Sequence, residues 1–92
     1  MIMNANILKV LNEVIEELNS KINADQGDPS YEFILPQIIF VRDCVEDGKD
    51  LLKEKGERAL NFPVVASRNL TAPEDESLVR KIGVITNYLS SL

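Results

Sequence analysis

Apolar residues in the first quarter of the chain recur at steps of three and four or lie next to a residue that does: Ile7, Leu8, Leu11, Val14, Ile15, Leu18 and Ile22. Successive helical side chains turn by about 100°, so this spacing gathers all seven on one side of an α-helix. Glu13, Glu16, Glu17 and Lys9 fall on the opposite side. A stripe of this kind has to be buried against another element, so the chain must fold by packing helices. The spacing predicts a helix beginning at Asn4 or Asn6, with Asn6 placed to cap it. It should end before DQGDPS, the cluster of turn formers from Asp25 to Ser30.

The same period returns in SYEFILPQIIFVRDCVEDG, where Tyr31, Ile34, Ile38, Val41 and Val45 form a core stripe. Phe33 and Phe40 lie one above the other on the far side, with Glu32, Asp43 and Asp47 alongside. A helix apolar on two sides either touches neighbours on both or keeps one face for a partner. Proline inside a helix loses one backbone hydrogen bond and clashes one turn back, so at Pro36 either the helix kinks or Ser30 to Leu35 forms a separate turn. Gly48 suits a left-handed stop.

Lys49 to Gly56, anchored by Leu51 and Leu52, reads as a short third helix. GERALNFPVVASRNL is either a helix with Leu60, Val64, Ser67 and Leu70 on a common side or a short strand at PVVAS. A lone strand has nothing to pair with, which favours the helix, with Pro63 in its first turn. Thr71-Ala72-Pro73-Glu74 has the spacing of a capping box, Thr71 accepting from a helical N–H while Glu74 reaches back to the Thr71 N–H. Asp75 and Glu76 suit the first turn of the final helix, which runs to about Leu89 with Leu78, Ile82, Ile85 and Leu89 inward. Gly83, in its middle, marks a candidate close helix contact, since glycine there costs about 1 kcal/mol against alanine. The expected fold is all-α: one domain over residues 1–92, a compact up-and-down bundle of four to five helices.

A chain of 92 residues buries a modest share of its surface and depends on tight packing or a partner. With one cysteine, Cys44, and no histidine, it can form neither an internal disulfide nor the common zinc sites, and no metal or cofactor is expected. General-base histidine, a phosphate-cradling glycine loop and a recognisable nucleophile are all missing from the sequence, so no catalytic residues and no enzyme activity are expected. Cys44 reads as a small packed thiol, and the carboxylate pairs Glu16-Glu17, Glu46-Asp47 and Glu74-Asp75-Glu76 as solvated or helix-start charges. The net charge of -5 comes from residues 1–46, which hold eight acids and three bases. Such a surface repels phosphate backbones, so nucleic acid is not an expected partner. No apolar run reaches the roughly 20 residues of a membrane span and the N-terminus lacks a signal-peptide pattern, so no membrane is expected and the location reads as cytoplasmic.

Two features point to binding. Arg68 is expected chiefly to tie its helix to an acid nearby, with Asp75 and Glu74 in reach, although it could equally enter a partner's cleft. The second helix offers a candidate interface, Glu32, Phe33, Phe40, Asp43 and Asp47, aided by Glu13, Glu16 and Glu17: aromatic anchors ringed by charge are what interfaces use for affinity and steering. The bland alternative is that another helix covers those phenylalanines.

The order of these features, an amphipathic first helix, Tyr31-x-Phe33 with Gln37 and Phe40 in the second, an Asp47-Gly48 stop and Ala66-x-Arg68 before an acidic helix start, resembles a family of small helical immunity proteins. These neutralise NAD(P)-glycohydrolase toxins of bacterial type VI secretion and related contact-dependent systems. Asn69 stands where such families often carry an acid. The resemblance implies a non-catalytic antidote that binds a cognate toxin domain and covers its active-site cleft, with a nuclease toxin as a variant. The alternative from another class is a structural or regulatory bundle that self-associates, as a homodimer, through Phe33 and Phe40.

Overall fold

The computed structural model describes residues 3–24, 29–57 and 60–92, with side chains from residue 6 onward. The predicted turn at residues 25–28 therefore lies outside the described residues. The elements are α1 (Met3–Asn23), α2 (Ser30–Asp47), α3 (Leu51–Lys55), α4 (Phe62–Asn69) and α5 (Glu76–Ser90), with a 3₁₀ turn, Pro73–Asp75, leading into α5. The described residues contain no strand, and within 61–70 the chain is helical over Phe62–Asn69, as the pairing argument required.

The four larger helices form a closed ring: α1 packs on α2 and α5, and α4 packs on α2 and α5, while among the described residues the diagonal pairs make no close backbone approach. Short α3 packs its backbone on α2, and its Leu51, Leu52 and Lys55 line a recess with Pro63 of α4 and Thr86 and Leu89 of α5. Three contacts set the directions. Arg42 of α2 donates to Asn12 of α1 at 3.1 Å, Lys21 at the end of α1 pairs with Asp75 just before α5 at 3.1 Å, and Gln37 of α2 accepts from the first N–H of α4 at 3.0 Å. A second level fixes each direction, since Lys21 stands against Tyr31, Lys81 against Glu13 and Glu17, and α4 sets Pro63 by Thr86 but Leu70 by Val79 of α5. Each helix therefore runs antiparallel to both its ring neighbours, which is the up-and-down arrangement.

The core is where the four stripes meet. Leu11, Val14 and Leu18 of α1, Ile34, Ile38 and Val41 of α2, Phe62 of α4, and Leu78 and Ile85 of α5 are completely enclosed. In α4 the buried stripe is Phe62, Ala66 and Leu70, while Val64 and Ser67 are exposed. Of the expected Leu60-Val64-Ser67-Leu70 side, Leu60 and Leu70 do pack on the core, but Val64 and Ser67 do not: steps of four from Phe62 bury the largest side chain and leave Val64 nearly opposite it.

Helix α2 is continuous through Pro36 and forms no separate first turn. Pro36 and Glu32, whose carbonyl loses its usual donor, are both exposed, so solvent can satisfy that oxygen. The helix stops at Gly48 (φ 70°), whose N–H donates to the Val45 carbonyl at 3.2 Å while Lys49 N–H donates to that of Cys44 at 2.9 Å. That double closure needs a left-handed residue, which glycine supplies. Gly83 differs from expectation: a Cβ there would meet nothing within 4 Å, so it marks no close helix contact.

Candidate functional site

Glu32, Asp43 and Asp47 are exposed on the solvent side of α2 around Pro36. Phe33, 49% exposed, borders them on the side toward α4. Phe40, two turns along from Phe33, is half-buried against the core. Asp43 accepts from Arg42 Nε at 2.7 Å, and Arg42 also reaches α1, so the acidic side of α2 is steadied from the neighbouring helix. The acids of α1 separate. Glu13 and Glu17, one turn apart, turn toward α5, where Lys81 Nζ lies 3.6 and 3.8 Å away. Glu16 alone points outward. The structure thus gathers Glu32, Phe33, Asp43 and Asp47 on one helix and directs Glu13 and Glu17 elsewhere.

A buried polar cluster lies at the end of the bundle where α2 begins. Asp75, 3% exposed, accepts from the Tyr31 hydroxyl at 2.8 Å and pairs with Lys21 at 3.1 Å. Lys21 also donates to the Glu74 carbonyl at 3.4 Å and stands 5.7 Å from the centre of the Tyr31 ring. The carboxylate is charge-compensated and hydrogen-bonded from two helices, which is what burying an ion requires. This arrangement overturns two expectations. No side chain caps the 3₁₀ turn or α5: the Asp75 N–H donates to the Ala72 carbonyl at 2.9 Å, and Thr71 and Glu74 stay exposed without forming a capping box. Nor does Arg68 pair with Asp75, because Lys21 occupies it; Arg68 is exposed and makes no ion pair among the described residues.

Gln37 carries a role the sequence pattern did not show. Its Oε1 accepts from the Phe62 N–H at 3.0 Å and its Nε2 donates to Asn61 Oδ1 at 3.1 Å, so α2 supplies the cap that α4 lacks. Cys44 is buried, as expected of a packed thiol, and burial pushes its pKa up, with the Glu54 carboxylate adding to the effect. A groove of about 440 Å³ runs between α4 and α5 over Ala66, Ser67 and Gly83, with Arg80 on its rim. No three His, Cys, Asp or Glu among the described residues converge on a point where a metal ion could sit.

Compared with known protein families, with curated proteins and with solved structures, the chain finds no match in any of the three.

Proposed function

We propose that this chain is a non-catalytic immunity protein that acts in the cytoplasm, binding a cognate toxin domain and covering its active-site cleft. The observation that carries this reading is the exposed side of α2, where Glu32, Asp43 and Asp47 surround Pro36 beside a half-exposed Phe33. An aromatic ring projecting from a rigid helix serves as an anchor, and the surrounding acids steer a basic cleft toward it. An NAD(P)-degrading toxin is favoured by the likeness of the sequence to such antidotes, and a nuclease cleft would suit the same charge. Self-association through Phe33 and Phe40 is the weaker reading, because Phe40 is already partly buried against the chain's own core.

The test is to read the frames adjoining that of this chain and co-express it with any toxin domain found there; the absence of such a domain counts against the reading. Protection of growth and a stable complex from purified components are the expected results. Unrelieved toxicity together with no detectable complex sinks the reading, and a tight homodimer closed through Phe33 would replace it.

A further inference from the structure

We infer that Arg68 is a partner-contact residue, and that the docking surface runs from the acidic side of α2 across the α2–α4 seam to reach it. The partner meets Arg68 with a carboxylate, next to an apolar recess that receives Phe33. This rests on the reading of the chain as a toxin-binding protein and specifies the chemistry of its site.

The first support is what Arg68 lacks. In a chain with fifteen acids, its guanidinium is exposed and has no ion pair among the described residues. The nearest acids in sequence offer it nothing, since Asp75 is held by Lys21 and Tyr31, and Glu74 turns only its carbonyl to Lys21.

The second support is register. Gln37 binds Asn61 and the Phe62 N–H, which fixes where α2 and α4 lie side by side. Phe33 is one turn back along α2 from Gln37, and Arg68 is two turns along α4 from Asn61; because the helices are antiparallel, both steps go the same way. Positions seven apart on a helix lie nearly in line, so Arg68 continues the outward row that Asn61 begins. Phe33 and Arg68 consequently flank one seam, with Val64, 52% exposed, a turn before Arg68. The α4–α5 groove uses the other side of α4, through Pro63, Ala66 and Ser67, and Arg68 does not line it.

Across this surface the order is acid, aromatic ring, arginine. The complementary order on a partner is base, apolar recess, carboxylate. Arginine rather than lysine suits the last position because its planar fork can hold both oxygens of one carboxylate.

The experiment is binding kinetics with the purified toxin domain that the co-expression test identifies as cognate. Arg68→Ala is expected to raise the dissociation rate about 10- to 100-fold with an unchanged melting temperature, as loss of an interface anchor does. Arg68→Lys should restore part of that loss and Val64→Ser should give a smaller one. If wild type binds and both Arg68→Ala and Arg68→Glu bind within about two-fold of it, the inference is overturned while the immunity reading stands. If wild type does not bind, the immunity reading fails and takes the inference with it.

Discussion

Asp75 shows how much one side chain can decide in a bundle this small. It accepts from Tyr31 and pairs with Lys21, so it joins α1, α2 and the approach to α5 at a single carboxylate. Asp75→Ala leaves a buried hydroxyl and a largely buried ammonium without their partner, and should lower stability by about 3 kcal/mol in urea unfolding. A loss under about 1 kcal/mol would mean that solvent reaches the cluster. Gly83 predicts the opposite sign. With open space where a Cβ would go and regular helix around it, Gly83→Ala should raise stability by about 0.5–1 kcal/mol, read as a higher melting temperature. Cys44 predicts a pH dependence. A thiol whose pKa is raised by folding contributes stability that is complete below its unfolded value of about 8.5 and is lost as pH climbs through the higher folded value. Wild type should therefore lose its stability advantage over Cys44→Ala as the pH is raised from about 8.5 through the higher folded value, and thiol reagents should label it slowly at neutral pH. These residues differ in how far they could be read beforehand. Period alone placed Ile34, Leu78 and their kind inside, whereas Asp75 sits among acids that look like ordinary helix-start charges. The hint was Tyr31 at the head of a core stripe, a buried hydroxyl that would need an acceptor.

Helices α1, α2 and α5 carry their stripes in their own sequence, but α4 does not stand alone. It has eight residues, too few for stability in water without packing, and no side chain of its own caps it. Gln37 provides the acceptor from another helix. Gln37→Ala should cost about 1 kcal/mol, in the range of a lost N-cap, and should speed amide exchange in α4 more than in α1. Gln37→Glu, which keeps an acceptor near the positive end of the helix, should recover most of that. Equal exchange in α4 for all three proteins would remove the cap from consideration. The dependence of α4 on α2 also explains why its buried side was misjudged: Phe62-Ala66-Leu70 has one small residue at its centre and competes in sequence with Leu60-Val64-Ser67-Leu70. Nothing local separates the two, and packing against α2 and α5 does.

For the whole molecule the charge is divided between two kinds of acid. Glu13, Glu17 and Asp75 face lysines of neighbouring helices, whereas Glu32, Asp43 and Asp47 lie together on open surface. The double variant Asp43→Lys with Asp47→Lys should slow association with the toxin domain about 10-fold at low salt and much less at high salt, with dissociation and melting temperature nearly unchanged. Unaltered association at low salt would end the steering argument. The all-α ring was legible because three helices have strong periods, and so was the sharing of one helix side by Glu32, Phe33, Asp43 and Asp47; what stands beside Phe33 across the seam was not, because the register of α2 against α4 sets it. The alternating directions round the ring have one more consequence. Since α1 and α5 are antiparallel neighbours, the first turn of α1 and the last turn of α5 lie at the same end of the bundle, so a short linker could join them and the chain could be reopened in the segment between α3 and α4. Such a circular permutant should keep the same core, and with it the surface built by α2 and α4.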